Sequence, residues 1–386
     1  MPVPLSINMK KYLIIISLLA MTLSMQAKSK KKSDTPAPGA LKEVLVKNGI
    51  LLGAAINQWE VAGEVPGAVP AIVANFNSAE AENCMKAEVI HPKEGVYDWK
   101  LADEFIDFCQ RNNITAIGHC LVWHSQPAKW MFKDKNGEPA SRPLLIERMK
   151  EHIFTVMQRY KGKVKGWDVV NEAILDDGTL RVSPWSELIG PDWIELAFRF
   201  AHEADPDAEL YINDFSMAKP AKREAYLRLI RDFQQKGIRI DAIGMQSHNG
   251  VDYPDVVEYE KTLEAYAATG LKVMMTELDL NMLPNPKDWD GSAEVNKKAA
   301  YEEAMNPYKK GLTLEAQKIF NDRYLAFFGI YARHKESISR INFWGASDLN
   351  SWLNNWPIKG RTSYPLILDR QYKLKPVVND IIKLFE

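Results

Sequence analysis

The sequence predicts a single α/β domain folded as a (β/α)8 TIM barrel. Eight short runs rich in apolar and β-branched residues alternate with stretches in which apolar residues recur at three and four positions. These alternations fit within about 350 residues, a usual size for one closed parallel barrel. A doubly wound sheet is the alternative, but no glycine-rich fingerprint follows the first run.

The N-terminal segment predicts an export signal over residues 1–27. The stretch MKKYLIIISLLAMTLSMQA begins with two lysines, continues with an apolar run over Tyr12–Leu23, and ends in small residues at Ser24 and Ala27. We expect cleavage near these small residues and a periplasmic or extracellular protein with no membrane contact afterwards.

A charged, proline-rich tether over residues 28–39 precedes the catalytic domain, residues 40–386. The runs that predict the eight barrel strands are residues 50–57, 71–78, 114–123, 164–172, 208–215, 240–248, 271–280 and 338–347. The stretches 101–113 and 223–237 are clearly amphipathic and predict helices. Residues 281–311 form the longest irregular segment, and loops of that length are usually functional or mobile.

The composition disfavours nucleic acid as a binding partner and suits small uncharged ligands. A formal net charge of −1 gives no basic field for nucleic acid. Eleven Trp and fourteen Tyr suit flat, uncharged ligands such as sugars or bases, although many of these rings will be core. Three scattered Cys exclude a disulfide framework. We expect a monomer.

Two predicted strands end in a carboxylate. WDVVNEA ends the fourth strand with Asn171 and Glu172, and MTELD ends the seventh with Glu277. Because a barrel builds its site where strands run into loops, the two glutamates can face each other across its mouth. Two carboxyl groups in different environments are what glycoside hydrolysis requires. Ion-pair or helix-cap roles are the alternative.

Polar and aromatic residues end most of the other predicted strands as well. They are Glu82, Asn83, His119, Trp123, His124, Asn213, Asp214, Gln246, His248 and Trp344. Such groups hydrogen-bond hydroxyls and stack on pyranose faces. Zinc could in principle use His119, His124 and His248, but a spacing of five puts the first two on opposite faces of a strand. We expect no metal and no organic cofactor.

Six ordered motifs resemble glycoside hydrolase family 10, the endo-β-1,4-xylanases. They are ENCMK (82–86), GHCLVWHSQ (118–126), WDVVNEA (167–173), GMQSH (244–248), MTELD (275–279) and NFWGASDLNSW (342–352). The resemblance runs from about Ile50 to the C-terminus and so implies a barrel over essentially the whole mature chain.

The resemblance implies that Glu172 is the general acid/base and Glu277 the nucleophile of a retaining enzyme, with carboxyl groups roughly 5 to 5.5 Å apart. For Glu172 to act as an acid its pKa must be raised, by the charge of Glu277 and by burial beside aromatics such as Trp123. Asn171 would bind the sugar 2-hydroxyl.

Three further residues are implied to support the nucleophile. His248 would donate to Glu277 and be held in turn by Asp279, and Gln246 is expected on the same side of the site.

The remaining site residues are implied to bind substrate, and two of them to select it. Glu82, Asn83, Lys86, His119 and Trp123 match positions on the non-reducing side of the cleaved bond, and Asn213 is a further candidate. Trp344 and Trp352 are expected to roof that side and to exclude a 6-hydroxymethyl group, favouring xylose over glucose.

The expected function is therefore a secreted retaining endo-1,4-β-xylanase acting on xylan and xylo-oligosaccharides. A broader β-1,4-glycanase or cellobiosidase on the same barrel, and a xylan-binding protein without turnover, remain as alternatives.

The chain also departs from the family pattern. Glu80 stands where Thr is frequent, Ala87 where Trp is common, and Ile212, Phe215 and Ser216 where Tyr, Tyr and Asn are frequent. These changes leave the preferences on the leaving-group side open.

Overall fold

The computed structural model describes residues 35–285 and 305–386. The predicted signal, residues 28–34 of the predicted tether and residues 286–304 of the long loop lie outside that part of the chain. Among the described residues, none of the helices has the length and apolar character needed to cross a bilayer.

Eight parallel strands close into a barrel, as predicted. They are β1 (Leu51–Ile56), β2 (Ser78–Ala81), β3 (Thr115–Trp123), β4 (Val164–Asn171), β5 (Glu209–Asp214), β6 (Ala242–Met245), β7 (Lys272–Asn281) and β8 (Ile338–Phe343). Each strand pairs in parallel with the next, and β8 pairs in parallel with β1 to close the ring. A short strand, His248–Gly250, continues beyond β6 and pairs with the end of β7.

Helices lie between and around the strands. They are α1 (Ala40–Lys47), α2 (Gln58–Val61), α3 (Ala68–Asn75), α4 (Ala87–Ile90), α5 (Lys100–Arg111), α6 (Arg142–Arg159), α7 (Pro184–Leu188), α8 (Trp193–Ala204), α9 (Pro220–Gln235), α10 (Val256–Ala267), α11 (Leu314–Arg333) and α12 (Val377–Phe385). Short 3₁₀ turns occupy Lys129–Phe132, Lys335–Ser337 and Trp352–Asn354. The two amphipathic stretches form α5 and α9, as predicted.

The predicted second strand is misplaced. Residues 71–75 of the predicted run belong to α3, and β2 begins only at Ser78. A short apolar run has no period that separates strand from helix. Pro70 falls in the first turn of α3, where a missing N–H costs nothing, and the Asn75 side chain ties the helix end to Gly39 N at 3.0 Å.

The barrel has two apolar layers. A small inner cluster of Ile117, Tyr211, Ala242 and Met274 fills the ring of strands, and a larger layer packs the strands against the helices. The Tyr211 ring fills the space beside Gly166, where an added Cβ would meet the ring hydroxyl at 2.3 Å. This close packing fixes the strands, and so fixes the residues at their C-terminal ends.

Candidate active site

A cleft opens at the C-terminal ends of the strands and holds most of the predicted site residues. Its lining comprises Glu82, Asn83, Lys86, His119, Trp123, Ser125, Gln126, Asn171, Glu172, Gln246, His248, Glu277, Trp344, Trp352 and Trp356. Asn213 and Asp279, which were also predicted, lie behind this lining.

Glu172 follows β4 with its backbone in the left-handed region, at φ 58°. Such a conformation costs a non-glycine residue about 1–2 kcal/mol and persists where neighbours hold it. Here the Glu172 N–H donates to Asn213 O at 2.8 Å, and the Glu172 carbonyl accepts from Arg181 Nε at 2.9 Å. The side chain accepts from Trp123 Nε1 at 2.9 Å and from Gln246 Nε2 at 3.1 Å.

The surroundings of Glu172 raise its pKa above the ordinary value. Burial is the largest cause, followed by the negative charge of Asp214, and the charge of Glu277 adds less. The hydrogen bonds from Gln246 and Trp123 act in the opposite direction. The predicted direction is therefore found, but Asp214 contributes more than Glu277, and the Trp123 N–H favours the ionised form.

The pKa of Glu277, on β7, is shifted in the opposite direction to that of Glu172. Burial by itself would raise its pKa, but a hydrogen bond from His248 and other favourable contacts outweigh it, so the pKa lies below the ordinary value. Glu277 Oε1 accepts from Asn213 Nδ2 at 2.7 Å, and Oε2 lies 3.2 Å from His248 Nε2. The cleft therefore holds one carboxyl group whose pKa is raised and one whose pKa is lowered.

His248 is bound on both ring nitrogens, as the motif implied. Nδ1 lies 3.0 Å from Asp279 Oδ2, and the same oxygen accepts from Trp352 Nε1 at 2.8 Å. Burial lowers the pKa of His248, but Asp279 and then Glu277 outweigh this and raise it to about 10. A cationic His248 between two carboxylates is the physical reason that Glu277 stays ionised.

Two predicted site residues differ in part from their expected placement. The Gln246 side chain contacts Glu172 and lies 3.3 Å from Asn171 Oδ1, on the acid side of the site, whereas its backbone carbonyl accepts from Glu277 N at 2.8 Å. Asn213 is fully buried and donates to Asn171 Oδ1 at 3.0 Å and to Glu277, so it does not reach the cleft. Asn213 is an inward-facing residue near the end of β5, one layer below the site.

Lys86 is the cation of the opposite wall. Its Nζ donates to Asn83 Oδ1 at 2.9 Å and to Gln126 Oε1 at 2.8 Å. It also lies 5.0 Å from the Trp123 ring centroid and 6.0 Å from that of Trp344. Burial raises the pKa of nearby Glu82 to about 7, although the Lys86 charge opposes it. This wall presents amide, ammonium and indole groups together.

A buried charged cluster lies under the cleft. His119 Nδ1 is 2.9 Å from Asp168 Oδ2 and 3.3 Å from Glu80 Oε1, and Arg340 Nη1 donates to Glu80 Oε2 at 2.6 Å. Glu80, His119 and Asp168 are close enough to share a metal ion. The Arg340 guanidinium already supplies a positive charge there, so this donor set does not favour a further cation. The three histidines considered for zinc do not converge, because His248 binds Glu277 and Asp279 instead.

The other departures from the family pattern are buried or lie at element ends. Phe215 lies with its ring centroid 4.1 Å from Lys222 Nζ and 5.7 Å from Arg181 Cζ. Ile212 is buried within β5, Ser216 follows at φ 52°, and Ala87 begins α4 as a buried residue. None of the four is among the lining residues given above, but Phe215 and Ser216 line an adjoining cavity that also includes His248.

Sequence reasoning missed three residues of the cleft. Ser125 and Gln126 end the GHCLVWHSQ motif, and the position after β3 could have indicated them. Trp356 lies in the irregular segment after the 3₁₀ turn Trp352–Asn354, where no periodicity distinguishes it from a surface residue.

A closed parallel barrel with two buried carboxyl groups among amides and indoles at its strand ends is typical of barrel glycosidases. The family model described as "Glycosyl hydrolase family 10" matches residues 40–384, and the chain belongs to this family.

Named relatives agree with this membership. Endo-1,4-beta-xylanase A of Xylanibacter ruminicola is 54% identical over 346 residues, covering 90% of this chain and 93% of the relative. An endo-1,4-beta-xylanase of Geobacillus stearothermophilus is 35% identical over 352 residues, covering 89% of this chain and 98% of the relative. The solved structure of a GH10 endoxylanase retrieved from a sugarcane soil metagenome superposes with a TM-score of 0.85 at 39% identity. It covers 89% of this chain and 99% of that chain.

Proposed function

We propose that the protein is an endo-1,4-β-xylanase that hydrolyses internal β-1,4-xylosidic bonds of xylan with retention of configuration. The observation that carries the mechanism is the pair of carboxyl groups in one cleft, with the pKa of Glu172 raised and that of Glu277 lowered. The xylan substrate is proposed from the activity named for the relatives.

In the first step the ionised Glu277 attacks the anomeric carbon. The bond from that carbon to the leaving oxygen breaks, and protonated Glu172 gives its proton to that oxygen. The product is a glycosyl ester on Glu277. Asn213 and His248, which both contact the Glu277 carboxylate, hold it in position for the attack.

In the second step water replaces the enzyme at the same carbon. Esterification removes the negative charge of Glu277, so the pKa of Glu172 falls, which favours the ionised form that can act as a base. Glu172 then takes a proton from water, the oxygen attacks the anomeric carbon, and Glu277 leaves as a carboxylate. Two inversions restore the original configuration.

Substrate binding is assigned to the walls of the cleft. Asn171 is placed by Asn213 and Gln246 to meet the sugar 2-hydroxyl. Glu82, Asn83, Lys86, His119 and Trp123, which line the cleft, are proposed to hold the non-reducing side. Trp344 and Trp352 are proposed to roof that side and to exclude a hydroxymethyl group by their bulk.

Location and assembly complete the proposal. The N-terminal signal predicted from the sequence supports export to the periplasm or the medium. We also propose that the enzyme acts as a monomer without a cofactor.

The decisive experiment follows the anomer released from unsubstituted xylan by NMR. We expect the β-anomer first, and loss of activity by about 10³ or more in Glu277→Ala, because the covalent route is removed. The control Glu64→Ala, which changes an exposed carboxylate outside the cleft, should keep the wild-type rate.

Other outcomes would reject parts of the proposal. Early α-anomer, or an active Glu277→Ala variant, would overturn the assigned mechanism. A rate on xylan that disappears with a chelator would show that a metal is needed, and no turnover at all would favour a binding protein.

A further inference from the structure

Trp356 lines the cleft but belongs to none of the six sequence motifs and has no role in the proposed mechanism. It lines the same cavity as Glu172 and Glu277. It lies beyond β8, in the segment that follows the 3₁₀ turn Trp352–Asn354. Its place in the cleft raises the question of what its ring contributes.

The Trp356 ring is stacked beside that of Trp352. The two indoles are nearly parallel, with centroids 6.5 Å apart and 25° between their planes. Trp352 itself is fixed by its bond to Asp279 and lies 5.0 Å from the His248 ring. A row of aromatic rings therefore runs from His248 through Trp352 to Trp356, and all three residues line the cleft.

The backbone around Trp356 is held rigidly. Buried Arg361 donates from Nη2 to Trp356 O at 2.8 Å and from Nη1 to Pro284 O at 2.9 Å. The side chain of Asn354 donates to Asp348 O at 2.9 Å and accepts from Ser363 N at 2.9 Å. A ring carried on a fixed backbone can select among ligands, because it does not move aside to admit a larger one.

The two indoles offer the cleft a surface of carbon atoms. The Nε1 atom of Trp352 is bound to Asp279, and Nε1 of Trp356 is buried. Xylose has only a CH₂ group at C5, which can pack on such a surface. Glucose carries a hydroxymethyl group there, whose hydroxyl would lose water without gaining a partner, and this loss is unfavourable.

We propose that Trp356 is a specificity-determining residue, which extends the roof of Trp344 and Trp352 and selects pyranoses that lack an exocyclic hydroxymethyl group. This inference rests on the proposed glycosidase function and adds a third indole to the residues assigned to sugar selection.

The test is the ratio of kcat/KM on para-nitrophenyl β-cellobioside to that on para-nitrophenyl β-xylobioside. We expect Trp356→Ala to raise this ratio about tenfold or more, within the range that one methylene-sized difference produces. Trp356→Phe should raise it by less, because a smaller ring leaves part of the wall. The ratio should rise because kcat/KM on the cellobioside increases, while kcat/KM on the xylobioside changes less.

Trp99→Ala is the matched control. Trp99 is also a half-buried indole, but it packs against Arg159 and Tyr160 at the end of α6. Its removal should leave the ratio within about twofold of the wild type.

The outcomes separate this inference from the proposed function. A folded Trp356→Ala variant with an unchanged ratio, or with equal losses on both substrates, overturns the role of Trp356. If Trp356→Ala does not fold by circular dichroism, the ratio of Trp356→Phe decides. If the wild type hydrolyses neither xylan nor the xylobioside, the proposed function has failed.

Discussion

The environments of individual side chains shift the pKa values of the two buried glutamates in opposite directions. Glu172 meets burial and the charge of Asp214, whereas Glu277 meets a histidine that Asp279 keeps cationic. The charges and hydrogen bonds of the neighbouring side chains therefore decide which carboxyl group is assigned as the acid.

Replacing His248 tests this electrostatic account directly. His248→Gln keeps an N–H near Glu277 but removes the positive charge, so the pKa of Glu277 should rise. Because an acid form of Glu277 cannot attack, the acidic limb of the pH profile of kcat/KM on xylan should move to higher pH. At neutral pH we expect a loss of about 10².

His334→Gln is the control, because His334 binds Glu260 on the outer surface. Its pH profile should match the wild type. An acidic limb that stays in place in His248→Gln would show that His248 does not set the ionisation of Glu277.

A pair of buried histidines outside the cleft joins the end of α4 to α6. His91, at the end of α4, and His152, on α6, are buried with their Nδ1 atoms 3.2 Å apart. One ring must donate and the other accept, so at least one of the two rings must be neutral. Burial lowers the pKa of His91 to about 4, and burial followed by the charge of His91 lowers that of His152 to about 3.

This pair predicts loss of stability in acid. The pKa values in the folded state lie below the unfolded value of about 6.5, so the unfolded chain binds more protons at mildly acidic pH. The contribution is complete above about pH 6.5 and is lost as the pH falls toward 4 and then 3. Each proton contributes a slope of about 1.4 kcal/mol per pH unit.

The measurement is the free energy of unfolding by urea between pH 7 and pH 4. His152→Leu should show a shallower decrease with falling pH than the wild type, whatever its stability at pH 7. His202→Leu, which changes an exposed residue of α8, should keep the wild-type slope. Equal slopes in all three proteins would contradict the account.

Elements with a clear period, or with a polar residue at a strand end, could be predicted from the sequence. The fourth and seventh strands, α5 and α9 were placed within a few residues, because buried strands and amphipathic helices leave such patterns. Residues 71–78 could not be assigned correctly, because a short apolar run fits either structure. The contact of Gln246 with Glu172 depends on how three neighbouring strands meet, and no local pattern contains that information.

The barrel as a whole is closed around a buried charge. Glu80 on β2 and Arg340 on β8 meet across β1, which pairs with both strands. Burial raises the pKa of Glu80 to about 8 and that of Asp168 to about 6, although the Arg340 charge opposes both shifts. One guanidinium thus acts on two buried carboxyl groups, by a hydrogen bond to Glu80 on β2 and by its charge on Asp168 of β4.

Removing that guanidinium should destabilise the whole barrel. Arg340→Met leaves Glu80 and Asp168 buried without a cation, and breaking a buried pair in this way costs about 3–5 kcal/mol. Adding Glu80→Thr, the residue frequent in the family, removes one of the two carboxyl groups and should recover most of the loss, since an apolar or neutral replacement of both partners is often tolerated. Lys383→Met, which removes an exposed ion pair with Asp380 on α12, should change the free energy of unfolding by less than about 1 kcal/mol. Urea unfolding at pH 7 measures the stability of all three variants. The Arg340 Cζ atom also lies 5.7 Å from the Tyr211 ring centroid. A double variant no more stable than Arg340→Met would therefore show that the guanidinium stabilises the barrel through Asp168 and Tyr211 instead of through Glu80.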